Sequence, residues 1–319
     1  MIMKRNIIIL SILFLAICSP LLAQQEILST QFMYNKLAVN PAFAGNSDYA
    51  NITAIIRDQW TGFAGAPKSQ SLSVNLPKLG KVGLGLNMNR QTVGVSEKLT
   101  IEGIYAYRFK LNNGNLSMGM SFSGRYFKQD FSDPNLVLIH PATEDDAIDG
   151  VVYSTKIFNV GFGAYYSNNR FYLGASVPRL IRADIDYKAG SKKGYEVRHI
   201  YFMTGGAMDL SNKIVIMPQL MGRWAENSPY DLDMNLGFLF YDRFYIASTI
   251  RTGGTSDDWF ESIDFILGFH MNKNIFCAAA YDVTMTPLRK YENGSLELLL
   301  QYNSGKTIKP IDIINPRFF

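Results

Sequence analysis

The sequence predicts an all-β fold, a transmembrane antiparallel outer-membrane β-barrel of about 14 strands behind an N-terminal signal peptide. Short and long connections alternate along the chain. Between them, apolar and polar residues alternate in strand fashion. After the signal there is no run of ~18 apolar residues that a spanning helix would need, although 47% of the residues are hydrophobic. Closed sheets satisfy every backbone donor in lipid, so the alternating strands can do the crossing.

The start, residues 1–23, reads as a secretory signal: Lys4 and Arg5, an apolar stretch over 7–17, then small residues up to a cut after Ala23. Cys18 offers a lipoprotein reading, but Ile17 before it is not the small residue that lipidation normally takes. Residues 24–50 lack a strand period; they form either a plug inside the barrel or a structureless periplasmic leader. The barrel spans 51–302. Its short connections fall at 78–81, 111–114, 168–169, 211–212, 242–243 and 271–274, mostly as hairpin turns. Its long ones fall at 60–69, 91–97, 130–157, 178–198, 224–230, 252–261 and 282–294. All the long ones lie on one side of the strand count, as periplasmic turns and outer loops must. Residues 303–319 remain as a periplasmic tail, interrupted by Pro310 and Pro316.

Within the strands, Leu72, Val74 and Leu76 interleave with Ser71, Ser73 and Asn75, and Leu84, Leu86 and Met88 with Gly85, Asn87 and Asn89. Met118, Met120 and Phe122 interleave with Ser117, Ser121 and Ser123. The apolar set is assigned to lipid. Charges obey the division: Glu102 and Arg108 oppose Leu99, Ile101, Tyr105 and Phe109, while Asp233 opposes Leu232 and Met234. A basic residue on the lipid face would cost ~2–4 kcal/mol at the midplane. Aromatic residues beside the short turns, among them Tyr105, Tyr107, Phe109, Tyr165, Tyr166, Phe171, Tyr172, Phe240, Tyr241, Phe244, Tyr245, Phe269 and Phe276, are expected to form a periplasmic girdle. Pro218 inside the strand 213–223 implies a bulge or a shifted boundary, and the first strand, 51–59, alternates poorly at Ile55 and Ile56.

Composition excludes several functions. The 31 basic and 27 acidic residues leave about +2 once Lys4 and Arg5 depart with the signal, which gives no footprint for nucleic acid. Cys277 alone remains after cleavage, so no internal disulfide is available and no cysteine metal site is expected. The histidines, His140, His199 and His270, sit in no zinc-binding, nucleophile-elbow or phosphate-cradling pattern. Glu144, Asp145, Asp146 and Asp149 in one long loop match no established calcium spacing and read as a solvated acidic face. No catalytic residue, metal or cofactor is assigned, and an enzyme is not expected.

The binding candidates lie elsewhere. Asn40, Pro41, Ala42 and Gly45 belong to the segment before the barrel, and Arg57, Gln59, Trp60, Gly62, Gly65 and Pro67 to the first outer loop. A tryptophan and an arginine beside glycines suit a partner contact, and Trp60 equally suits an anchor at the outer lipid boundary. Tyr281 and Asp282 are further candidates near the end of the barrel. Arg317, Phe318 and the terminal Phe319 are candidates for a barrel-assembly signal.

Taken together, these motifs resemble the PorP/SprF family of type IX secretion system membrane proteins. The carriers are Tyr34-Asn35, Asn40-Pro41-Ala42-Phe43-Ala44-Gly45, Arg57-Asp58-Gln59-Trp60-Thr61-Gly62 with Gly65 and Pro67, Tyr281-Asp282, the segment 291–297, and Asn315-Pro316-Arg317-Phe318-Phe319. The resemblance implies an outer-membrane barrel of Bacteroidetes that assists secretion or surface attachment of a partner protein such as a large adhesin. It also implies links to other type IX components and, in some members, to gliding motility. A different class is represented by the fatty-acid channels, which the strand number and the Asn40-Pro41-Ala42 tripeptide also resemble; an outer-membrane channel for hydrophobic small molecules would then be expected, with an apolar pocket in the lumen.

Overall fold

A computed structural model of the chain describes residues 29–132, 152–183, 185, 196–226, 228–253 and 259–305. Fifteen strand segments follow one another: β1 Asn51–Asp58, β2 Lys68–Asn75, β3 Val82–Val93, β4 Ser96–Leu111, β5 Gly114–Asp130, β6 Val152–Ser167, β7 Phe171–Val177 and β8 His199–Gly206. Then come β9 Met208–Ser211, β10 Ile214–Ala225, β11 Asp231–Phe240, β12 Phe244–Thr252, β13 Phe260–His270, β14 Ile275–Thr284 and β15 Ser295–Asn303. Segments β8 and β9 are one crossing interrupted at Ala207, so there are 14 crossings. Every crossing pairs antiparallel with its sequence neighbours, and β15 pairs with β1 to close the ring.

The two faces are inverted relative to a water-soluble sheet. Leu298, Leu300, Met120 and Phe122 are each more than half exposed on the outside, whereas Ser117, Ser121, Ser123, Asp233 and Glu297 are buried within. Such a surface is stable only against hydrocarbon, and the barrel belongs in the bacterial outer membrane. An arginine at Leu298, in the middle of β15, is expected to cost about 2–4 kcal/mol in urea unfolding from lipid vesicles. A cost near zero would mean that this face does not meet lipid.

Connection parity holds with one exception. The expected outer loop at 91–97 is a tight turn at Gly94 and Val95, because β3 and β4 continue to Val93 and from Ser96. Gly94 takes φ +53° and donates its N–H to the Gly65 carbonyl at 2.9 Å, so this hairpin rises to join the first outer loop. The loop expected at 130–157 gives up residues 152–157 to β6, and its acidic cluster lies outside the described residues.

Two further expectations are corrected. Tyr165, Tyr172, Tyr245 and Phe276 do not join the aromatic girdle; each is buried in the interior, while Tyr105, Phe109, Phe171, Tyr241 and Phe244 face outward. Adjacent residues of a strand point to opposite faces, so Tyr165 and Tyr166, or Phe244 and Tyr245, cannot share one belt. β10 runs straight through Pro218, which pairs with Leu236 of β11. The break appears on the opposite side: the ladder to β8 stops at Gln219 and resumes with β9 at Ile216, and Ala207 sends its N–H to Arg170 instead. Proline lacks the donor that would have continued the ladder there. In β1, Ile55 turns inward and Ile56 outward, which explains why two apolar neighbours occur together.

Candidate functional site

Residues 29–45 lie inside the ring and run from the long-loop end toward the short-turn end, where residues 46–50 reach the rim, exposed Asp48 pairs with Lys78, and β1 begins. Three single 3-10 turns, Phe32–Tyr34, Lys36–Ala38 and Pro41–Phe43, fold the segment without any regular partner strand. Its apolar side chains Phe32, Met33, Val39 and Ala42 merge with Tyr165, Tyr172, Tyr201, Met203, Met221, Tyr245 and Phe276 of the wall into one core. Tyr34 stacks edge-on against Tyr245 at 5.5 Å and lies 4.6 Å from Phe276, and Phe43 meets Tyr165 edge-on at 5.4 Å. Lys36, also buried, places its ammonium 4.1 Å from the Tyr172 ring centroid. Aromatic pairs of this kind contribute about 0.5–1.5 kcal/mol beyond the area they bury.

The upper end of the segment is held by charge. Arg57 on β1 lies 2.5 Å from the Asp282 carboxylate of β14 and 3.3 Å from that of Glu297 on β15. Its Nη1 also donates to the Thr30 hydroxyl at 2.7 Å, and that hydroxyl donates in turn to Asp282 at 2.8 Å. The backbone N–H groups of Thr30 and Gln31 both reach Glu297 at 2.9 Å, joined by the Ser29 hydroxyl at 2.6 Å. Strands β10–β13 extend the network through Arg251 and Arg223, which flank Asp233 at 2.9 and 3.4 Å, and through Asp264, 3.7 Å from Arg251.

The lower end is held by close approach. Asn40 caps its own turn by accepting from the Ala42 N–H at 2.9 Å, and donates across to the Ala164 carbonyl of β6 at 3.0 Å. Pro41 and Ala42 lie so close to β5 that a Cβ at Gly119 would overlap their backbone. Gly45 adopts φ +65° against Gly83, with its N–H on Asn75 at 2.7 Å and its carbonyl receiving the Arg108 guanidinium at 2.5 Å.

Outside the lumen, the first outer loop is built onto the last. Thr61 donates its N–H to the Gly294 carbonyl and accepts from the Asn293 N–H, both at 2.8 Å, and the Tyr281 hydroxyl donates to the Asn293 carbonyl at 2.7 Å. Trp60, with φ +52°, donates its N–H to Ser295 at 3.1 Å, and Gln59 donates to the Pro67 carbonyl at 2.9 Å. Gly62 takes φ +88° facing Asn293 and Gly65 takes φ +73° facing Gly94. Phe63 and Tyr291 stand exposed on this seam, at 47% and 70%.

The structure thus gathers Arg57, Gln59, Trp60, Gly62, Tyr281 and Asp282 along the β1–β15–β14 side, with Pro67 at the start of β2 and Gly65 against the β3–β4 turn, and sets Asn40, Pro41 and Ala42 against β5–β7 and Gly45 against β2 and β3. Arg317, Phe318 and Phe319 lie outside the described residues. Sequence reasoning missed Thr30 as a tether, Glu297 as its acceptor, and the role of the inward glycines Gly83, Gly119 and Gly163 as the surface on which the segment docks. Glu297 carries the signal that could have found it: a lone carboxylate at an inward position between Leu296 and Leu298.

A family model described as Type IX secretion system membrane protein PorP/SprF matches residues 21–302. Among solved structures, the chain is similar to the CymD monoaromatic hydrocarbon channel, with TM-score 0.49 and 11% identity over 86% of this chain and 92% of that one. It is similar to the Ralstonia pickettii toluene transporter TbuX, with TM-score 0.48 and 8% identity over 85% and 93%. The Acinetobacter baumannii outer membrane protein Omp33 gives TM-score 0.46 and 7% identity over 81% and 99%. No curated protein matches the chain.

Proposed function

Because this chain belongs to the PorP/SprF family of type IX secretion system membrane proteins, we propose that it is a noncatalytic barrel that helps a secreted partner, such as a large adhesin, to reach or remain at the cell surface. In gliding cells that partner would serve motility. The supporting observation is the seam on the outer rim. Loops 59–67 and 285–294 are hydrogen-bonded into one ordered platform, and exposed Phe63 and Tyr291 lie on it. An ordered platform with exposed rings binds at low entropic cost, since the loops are fixed before the partner arrives. The plug leaves the rims as the surfaces through which a protein partner engages.

The rival reading, a channel for hydrophobic small molecules, draws no comparable support from the seam. The double variant Phe63→Ser, Tyr291→Ser is expected to reduce surface display of the partner adhesin severalfold. The barrel itself should accumulate normally and keep the gel mobility of a folded barrel when unheated. Undiminished display of the adhesins encoded by the cell would sink the proposal.

A further inference from the structure

We infer that the outer wall of β5 and β6 carries a binding site for the phosphate of a lipid headgroup in the outer leaflet. The site lies on the lipid side of the barrel, apart from the rim platform, and does not rest on the role proposed for it. Antiparallel register sets Tyr126 of β5 opposite Lys156 of β6, and Lys128 opposite Ser154. Strand parity turns all four outward with Phe122 and Phe158, and Ser154 and Lys156 are exposed. Opposed side chains start about 5 Å apart and successive outward rows about 7 Å apart, so the two long lysine stems can bring both ammonium groups to one point.

Height selects the occupant. One row toward the midplane, Met88, Ile101, Gly124 and Phe158 pair across β3–β6 without a charge among them. Phe158 stacks on Phe122 at 6.3 Å, and the two rings are 64% and 62% exposed. The next row runs from Arg90 through Leu99 and Tyr126 to Lys156, and the row above it, from Thr92 through Glu97 and Lys128 to Ser154, is wholly polar. Chemistry therefore changes from hydrocarbon to headgroup within two residues of each strand, at a height where a cation costs far less than at the midplane. The leaflet is fixed as well, because β5 ends at Asp130 on the long-loop side, which faces out of the cell. An occupant must carry oxygen acceptors level with the lysines and acyl chains over the phenylalanine rings.

Charge and hydrogen bonding select phosphate. Arg90 is committed to Glu97 at 2.6 Å, and Lys128 lies 2.7 Å from Asp130. Among the described residues, Lys156 has no ion-pair partner and the Tyr126 hydroxyl no hydrogen-bond partner. Asp130 also accepts from the Ser132 N–H at 3.0 Å and from the Ser132 hydroxyl, so it stays satisfied when Lys128 turns to another anion. Two ammonium groups and two hydroxyls then face one point. A phosphate offers at least three acceptor oxygens to these donors, where a carboxylate offers two.

The test is native mass spectrometry of the full-length protein in detergent, titrated with diphosphoryl lipid A, with the same lipid stripped of its phosphates, and with inorganic phosphate. Diphosphoryl lipid A is expected to bind, about fivefold more weakly to Lys156→Gln and about thirtyfold more weakly to the double variant Lys128→Gln, Lys156→Gln. Lys273→Gln, in the short turn between β13 and β14 at the opposite end, should bind as the parent does. Each variant must show the heat-dependent gel shift of a folded barrel. Overturning results are equal binding of the dephosphorylated lipid, full binding by the double variant, or displacement of lipid A by inorganic phosphate at equal concentration, which would mark a site for the free ion. The comparison of the two lipids uses the parent protein alone, so it decides the matter whatever the variants do to folding.

Discussion

Replacing Arg57 by methionine is expected to free the upper end of the plug and to destabilise the barrel by about 3–5 kcal/mol. The guanidinium sits between Asp282 and Glu297, and all three side chains are almost fully buried. Removing it leaves Asp282, Glu297, Asp264, Asp233 and Asp231 gathered on one side of the lumen, with Arg251 and Arg223 as their counter-charges. An unpaired carboxylate in a low-dielectric interior costs more than the pair itself contributed, so the effect exceeds that of a surface ion pair. Thr30 would also lose the donor that fixes its hydroxyl toward Asp282. Urea unfolding from lipid vesicles measures the stability change. The triple change Arg57→Met, Asp282→Asn, Glu297→Gln should recover much of the stability by removing the unpaired charge. If Arg57→Met unfolds as the parent does, the network does not hold the plug.

The strand ring was legible because membrane and lumen impose opposite chemistry on alternate residues. Leu298 at 51% exposure beside Glu297 at none is the same contrast that the sequence shows as Leu-Glu-Leu. Connection lengths were mostly legible from glycine, asparagine and aspartate at the turns, and failed at 91–97, where Gly94 did mark the turn but polar Gln91, Thr92, Ser96 and Glu97 on either side hid the continuation of both strands. The girdle assignment failed for Tyr165, Tyr172, Tyr245 and Phe276 because aromatic residues serve two purposes near the short turns. Outward ones meet the lipid boundary; inward ones cover the plug, and only parity separates them. The placement of residues 29–50 was undecidable from periodicity, since three single turns give no repeat. What fixes it is cross-chain chemistry between residues more than 250 positions apart, as for Thr30 with Asp282 and Glu297. The Asn40 to Gly45 motif and the Arg57 to Gly62 motif were both visible, but not that one docks on a wall of glycines and the other on the last outer loop.

That wall gives the second large expected effect. Gly119→Val should expel the lower half of the plug while leaving the ring of strands intact. A Cβ at Gly119 would fall on the backbone of Pro41 and Ala42, and backbone atoms cannot swing aside as a flexible side chain does. Neighbouring contacts allow no sideways shift. Asn40 faces Gly163 of β6 and Gly174 of β7, while Ala44 and Gly45 press on Gly83 of β3, so the motif is confined on every side by strands whose register is set by the ring. Overpacking of this kind costs about 1–3 kcal/mol, which raises the population of an undocked plug roughly 5- to 150-fold. On the outer face of the same strand, Met120→Val is the control, because it changes side-chain bulk toward lipid and leaves the lumen untouched. Planar-bilayer recording is the measurement. Gly119→Val should show long open events that the parent and Met120→Val show rarely, and deleting residues 29–45 should reproduce them. Equal conductance in parent and Gly119→Val, with both folded by gel mobility, would mean that the segment does not seal the lumen against ions and that its docking serves only to brace the wall.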